Sequence, residues 1–448
     1  MKKNIRIANA QGFWGDSVNA PLDMLKYGKI DYLTLDYLAE VTISIMQRQK
    51  LKNPDLGYAK DFVELVNASG DLIIKNKIKI ITNAGGANPL ACAKKIKDIF
   101  NKRKQNIKIA IVSGDDIISD VDSYIDECNN LSNMDTLESF DLIKNDICSA
   151  NVYLDSYCIK EALLLGADIV LCGRVTDPGL ALGPMLYEFG WSEDDYNKLA
   201  SGTLAGHIIE CGAQCTGGNH TEWQAVDDFI NIGYPIANVQ SNGDFHISKP
   251  EGSGGLLNKY TVIEQVLYEM GDPKRYISPD VIVDFTSFKI TEKNNYVYIS
   301  EVKGSKPTDT YKVSISYNKG YKSTSQLTIS GPNAYEKASK TAEIIWGRLK
   351  ALGVTFKETN TEYLGLSSCH KDIADIPDKI NEIVLRLSVK DKDLKNMISF
   401  SKEIAPVITN GPSGITGFSG GRPKAQNIIA YWPALLSKSK IKTSVKLI

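Results

Sequence analysis

Ile78-Lys-Ile-Ile-Thr82-Asn83-Ala-Gly85-Gly86-Ala-Asn88-Pro89 carries an apolar run into a glycine turn and then into a helix start. The β-branched run 78–82 reads as a strand. Pro89 suits a first helical turn, where its missing N–H leaves no bond unmade, and 89–102 keeps a helical period. The same order recurs through the first half of the chain. Residues 5–8 run into Asn9-Ala-Gln-Gly-Phe-Trp-Gly15-Asp16, and 32–35 into Asp36, with Glu40 close behind. Residues 107–112 lead into Ser113-Gly-Asp115-Asp116, and 169–171 into Cys172-Gly-Arg174-Val-Thr-Asp177.

Repeated strand, polar turn and helix predict an α/β fold with a largely parallel, Rossmann-like sheet in the first half. Ligands of such sheets bind outside the carboxyl ends of the strands, so the five polar clusters are expected to converge on one crevice. Further helical patterns fall at 18–27, 38–49 and 158–165, with Gly166 as a C-cap. After residue 203 the texture changes: 203–214 looks helical, and glycine-rich stretches follow at 250–255 and 410–421. Four β-rich runs (281–290, 296–302, 311–317 and 323–329) precede a long helical pattern at 334–352. That order predicts a smaller antiparallel α+β unit. The expected division is 1–270 and 271–448, and the tail is free to pack back on the first part.

At 448 residues two domains are expected. Hydrophobic content of 43% with 23% charged residues is ordinary for a soluble chain. Fifty-two basic against 53 acidic residues leave a net charge of -1, which gives no case for nucleic acid or an anionic membrane. No stretch approaches the roughly 20 apolar residues of a membrane span. Eight scattered cysteines without close pairs read as reduced thiols of a cytoplasmic protein.

The candidate site residues follow from their chemistry. Asn83, the Gly85–Gly86 amides and Asn88 form a possible cradle for a phosphate, carboxylate or oxyanion, against which stands a plain glycine turn capped by Asn88. Arg174 is a fork donor for an anion, or a brace for Asp177. Asp16 and Asp115 sit at strand ends as ligand contacts, and Gly254 and Gly255 allow close ligand approach. Asp36, Glu40 and Asp177 are acid/base candidates. Cys211 is a candidate nucleophile with His207 one turn earlier. His207, Cys211, Cys215 and His220 are of zinc-ligand type, but their spacing matches no known site, and no metal is expected. Ala10-x-Gly12-x-x-Gly15 approximates a dinucleotide fingerprint, yet Asp16 puts a carboxylate where phosphate would sit. The mobile-lid reading of 252–255 and 410–421 stands against one of plain surface loops.

These blocks resemble the acyclic terpene utilisation protein AtuA family. The resemblance rests on Gly12-Phe-Trp-Gly-Asp16, Asp36-Tyr-Leu-Ala-Glu40, Asn83 to Pro89, Gly114-Asp-Asp116, 167–177, 205–218 and 249–255, and covers roughly residues 5–350. It implies bacterial catabolism of acyclic terpenoids such as citronellol and geraniol through acyl-CoA intermediates. The expected activity is a lyase or hydratase type step on a small acyl-CoA or carboxylate. A non-catalytic partner of a carboxylase or hydratase, or a nucleotide-dependent oxidoreductase, are the alternatives. No cofactor is expected, coenzyme A entering only as part of the substrate. A homo-oligomer is expected. The family pattern also implies a small ferredoxin-like C-terminal part, which a separate subunit would supply.

Overall fold

In the computed structural model, which describes residues 2–126, 130–375, 377–418 and 420–448, the strand–turn–helix repeats build one central sheet. Its parallel core contains β1 (Asn4–Asn9), β2 (Tyr32–Leu35), β3 (Lys79–Thr82), β4 (Ile109–Ser113) and, after β5 (Ile147–Val152), β6 (Ile169–Leu171). The order across the core is β1-β2-β3-β6-β4. Ile80 of β3 is in register with Leu33 of β2 on one side and Ile169 of β6 on the other.

Side-chain alternation assigns the faces. Ala8, Leu33, Leu35, Ile80, Ile109, Ile169 and Leu171 join one buried cluster with residues of α1 (Ala20–Tyr27), α2 (Thr42–Lys52), α3 (Lys60–Asn76) and α4 (Pro89–Lys102). Period two sends their neighbours to the other face. There lie α5 (Tyr157–Leu164), α6 (Gly179–Phe189) and α7 (Tyr196–Glu210), and Tyr32 of β2 donates to Glu188 of α6 at 2.7 Å. Ile80, Leu33 and Ile169 are fully buried, each worth about 1.5–3 kcal/mol. The chain leaves β3 toward α4 on one face and β6 toward α6 on the other. That divergence between adjacent strands is the switch point at which such sheets hold ligands.

The sheet as a whole is mixed, which corrects the expectation of a largely parallel one. β7 (Ile236–Gln240) pairs antiparallel with β1, β8 (Phe245–Ser248) with β7, and Tyr296–Ser300 and Lys289–Lys293 extend that side. Ser444–Leu447 closes the other side antiparallel to β4. A four-residue connection between β7 and β8 can only reverse the chain, so this hairpin had to be antiparallel. The run 281–290 is divided between Ile282–Asp284, in a separate three-stranded sheet, and Lys289–Lys293.

The chain divides into a unit of Met1–Ser316 with Tyr431–Ile448 and a unit of Tyr317–Ala430. The sequence-based line at 270 falls within the first. The runs 311–317 and 323–329 are one strand, Thr310–Ser330, which crosses the division. In the second unit its later part pairs antiparallel with Glu382–Asp391, and Glu358–Leu364 follows. Ala334–Ala351 and Leu394–Ile404 pack there on Leu327, Ile329, Leu385 and Leu387. The glycine-rich segment 410–421 belongs to this unit, with Ser419 outside the described residues. Among the described residues, no helix is long and apolar enough to cross a membrane.

Candidate functional site

The carboxyl ends of β1, β2, β3, β4 and β6 share one edge of the sheet, because these strands are parallel neighbours. Asn83, just past β3, bridges to β2: its Nδ2 donates to Asp36 Oδ1 at 2.6 Å, and its Oδ1 accepts from Tyr37 N at 2.6 Å. Leu38 N also donates to Asp36 Oδ1. Arg174, past β6, is 2% exposed. Its Nη1 donates to Leu38 O at 2.6 Å and pairs with Asp177 at 2.7 Å, and its guanidinium lies 4.1 Å from the Tyr153 ring centre. Its Nε is buried without a partner.

A narrow crevice joins Asp36 and Asp177 to Asn9, Thr34 and Glu210, the last residue of α7. Gly206 lets α7 close on α6 here, since a Cβ would press on Pro178. Asn9 Nδ2 donates to the carbonyls of Ile209 and Glu210, and Thr34 Oγ1 donates to Asn9 Oδ1. The buried Asp36 and Arg174 and the largely buried Glu210 therefore meet here, with Asp177 half-exposed at the edge. Burial, then the charge of Asp177, push Asp36 up to about 7, against the pull of Arg174 and Asn83. Burial likewise pushes Glu210 up to about 7, opposed by His207.

His207 supplies a shared proton. Its Nε2 faces the Val266 carbonyl at 3.3 Å and must carry hydrogen, leaving Nδ1 toward Glu210 Oε1 at 3.1 Å. Burial disfavours the imidazolium, but Glu210 and the Val266 carbonyl outweigh it and raise His207 above its ordinary value. The pair holds one titrating proton between Nδ1 and the carboxyl group, and it titrates as a unit. A protonated carboxyl beside an ionised one is the arrangement that gives and takes protons near neutral pH.

Glu40 lies outside the crevice lining, accepting from Tyr153 at 2.8 Å with Lys312 3.9 Å away. Burial opposes its ionisation, but Arg174 and its hydrogen bonds prevail and keep it below its ordinary value. Asp115 positions rather than lines: it accepts from Arg174 N at 2.7 Å and Asn151 Nδ2 at 2.9 Å, and burial pushes it up to about 6. A Cβ on Gly173 would collide with both Asp115 carboxyl oxygens. Gly173→Ala is therefore expected to lose about 1–3 kcal/mol in urea unfolding; an unchanged midpoint would show that this contact is loose.

Other residues expected at the site lie elsewhere or are already engaged. In the 83–88 turn Gly86 N donates to Asn83 O and Asn88 N to Gly85 O. A Cβ at Gly85 would meet Cys172 and Pro89, and one at Gly86 would meet Met46. The turn is packed, and it aims Asn83. Asn88 caps α4 through Ala91 N and donates to Pro54 and Leu56 carbonyls. Asp16 accepts from Gly12 N at 2.9 Å and from Tyr234 at 2.6 Å. Its carboxylate fills the loop where a pyrophosphate would bind, and Gly12 presses on the Cys211 backbone. Gly254 N and Gly255 N donate to Asn231 and Asp228 carbonyls.

The helix expected at 203–214 ends at Glu210, because Gly212 turns left-handed (φ 59°). Cys211 and Cys215 thus leave the helical face of His207. Burial, then Glu210, push the Cys211 thiol up, the reverse of what an activated nucleophile requires. His220 pairs with Glu264 at 2.7 Å. Among the described residues no group of three or more His, Cys, Asp or Glu side chains is arranged for a metal ion.

Glu210 was missed by the sequence reading. Its signal was a lone carboxylate ending a helix that is buried from Leu199 to Ile209, a placement that charged residues avoid unless paired.

Fold and crevice define an α/β protein with a buried carboxylate cluster at the switch point of its sheet. The model of the acyclic terpene utilisation family protein AtuA matches residues 5–447, and the chain belongs to this family. No curated protein and no solved structure matches it.

Proposed function

We propose that the chain is an enzyme of terpenoid or branched acyl-CoA catabolism, moving protons in a lyase or hydratase type step on a small acyl-CoA or carboxylate. The observation that carries this reading is the pair of carboxyl groups, Asp36 and Glu210, both held at about 7 in one crevice. Ionised Asp36 removes a proton beside the substrate carbonyl, or takes one from water attacking the β-carbon. The Glu210–His207 pair delivers a proton to the enolate or the leaving oxygen. Arg174 and Asn83 hold Asp36 and Asp177 in place against their mutual repulsion. The crevice is too narrow to admit even a water-sized sphere, whereas small-molecule sites hold roughly 300–1,000 Å³. Substrate entry therefore requires α6 or α7 to move away from the sheet edge.

The experiment is exchange of the α-proton of saturated and α,β-unsaturated branched acyl thioesters, and of their free acids, in deuterated buffer. The pure chain is expected to catalyse exchange on one of these classes. Its failure on every one would favour the second reading, a non-catalytic subunit of a carboxylase or hydratase. The closed crevice and the fully formed Arg174–Asp177 pair are what favour that reading. Co-purification with a second chain would then be expected, the small ferredoxin-like subunit being one form it takes.

A further inference from the structure

The first unit carries a second cavity, of about 350 Å³, at the C-terminal end of α1. Arg6, Lys26, Lys29 and Lys249 line it, with the rings of Tyr27 and Tyr296 and a single carboxylate, Glu251. Among the described residues none of the four cations has a carboxylate within ion-pair distance; Arg6 and Lys249 bond only to backbone carbonyls. Arg6 Nη2 neutralises the Gly28 carbonyl at 3.0 Å, at the helix end where an anion is otherwise disfavoured. Its Nε is buried and has no partner. Four unpaired cations around a cavity with two exposed aromatic rings recognise a phosphorylated ring compound.

The cavity continues. A neighbouring one of about 600 Å³ shares Tyr27, Pro250 and Glu251 with it and runs along α1 past Met24, Phe229 and Ile232. With eight residues, α1 is about 12 Å long. Tyr234, which also lines this groove, is bonded to Asp16, which holds Gly12 against Cys211, next to Glu210.

We propose that the basic cavity binds the phosphorylated nucleoside of a carrier thioester, whose flexible arm lies along α1 toward the acidic crevice. This rests on the acyl-CoA reading above, and it names the part of the chain that tells a carrier thioester from a free acid.

Binding of adenosine 3′,5′-bisphosphate, adenosine and inorganic phosphate to the full chain is measured by calorimetry. The wild-type protein is expected to bind the bisphosphate more tightly than either other probe. The exposed pair Lys26→Gln/Lys29→Gln should weaken it by about tenfold or more, as lost charge-assisted contacts do, with a nearly unchanged melting temperature. No binding of the bisphosphate, equal binding of inorganic phosphate, or unchanged affinity in the double variant would overturn the assignment. None of these outcomes touches proton exchange on free acids, so the subsite and the acid–base reading fail separately.

Discussion

Asp36→Asn is expected to slow α-proton exchange by about 10²–10⁴-fold, the range for a lost general base, and at the same time to stabilise the protein above pH 7. The two effects have one cause. Asp36 titrates at about 7 in the folded chain and at about 4 when unfolded. Between those values the folded state holds a proton that the unfolded state has lost. Stability therefore falls as pH rises from about 4 to 7, and stays reduced above 7. Asn has no charge to bury, and its oxygen still accepts from Asn83 Nδ2 and Leu38 N. Melting temperatures should coincide near pH 4 and favour the variant at pH 8. A variant that melts lower at pH 8 and exchanges normally would make Asp36 a structural group.

Arg174→Met should lose about 3–5 kcal/mol at pH 8, as for a buried pair broken from one side. It leaves Asp177 and Asp36 facing one another with no cation, and Tyr153 without its stacked partner. At pH 5 Asp36 is protonated and the loss should be smaller. Arg174→Lys retains a charge but not a plane that stacks on Tyr153 while reaching Leu38 O and Asp177, so it should fall between the two. Urea unfolding at both pH values decides the matter. A loss below about 1 kcal/mol at pH 8 would show that the carboxylates are kept apart by solvent instead.

The parallel core was legible because its strands are buried on both faces and end in polar turns, as 78–89 does. The position of β6 between β3 and β4 was not: hydrophobic runs carry no record of their neighbours. For the same reason the β-rich runs 281–290 and 296–302 were read as parts of one late unit, when Tyr296–Ser300 and Lys289–Lys293 extend the central sheet. Within the crevice, Asp36, Asp177 and Arg174 were visible from their places at strand ends. Gly85 and Gly86 looked like an open cradle because sequence shows missing side chains but not Met46 and Cys172 filling the space. His207 and Glu210 form their pair one helical turn apart, a spacing that was read instead as histidine and thiol. Asn9 joins Glu210 from two hundred residues away, by a contact that only the folded sheet edge creates.

The central claim is that two buried carboxyl groups in one crevice change charge near neutral pH. Carbon-13 NMR of labelled side-chain carboxyl groups, followed from pH 4 to pH 9, measures this directly. Among the resonances that titrate with midpoints near 7, one is expected to be absent from Asp36→Asn and another from Glu210→Gln; the buried carboxyl of Asp280, outside the crevice, adds a third that neither variant removes. If both carboxyl groups instead titrate below about pH 5, the crevice is a fixed ion cluster and the acid–base account is wrong.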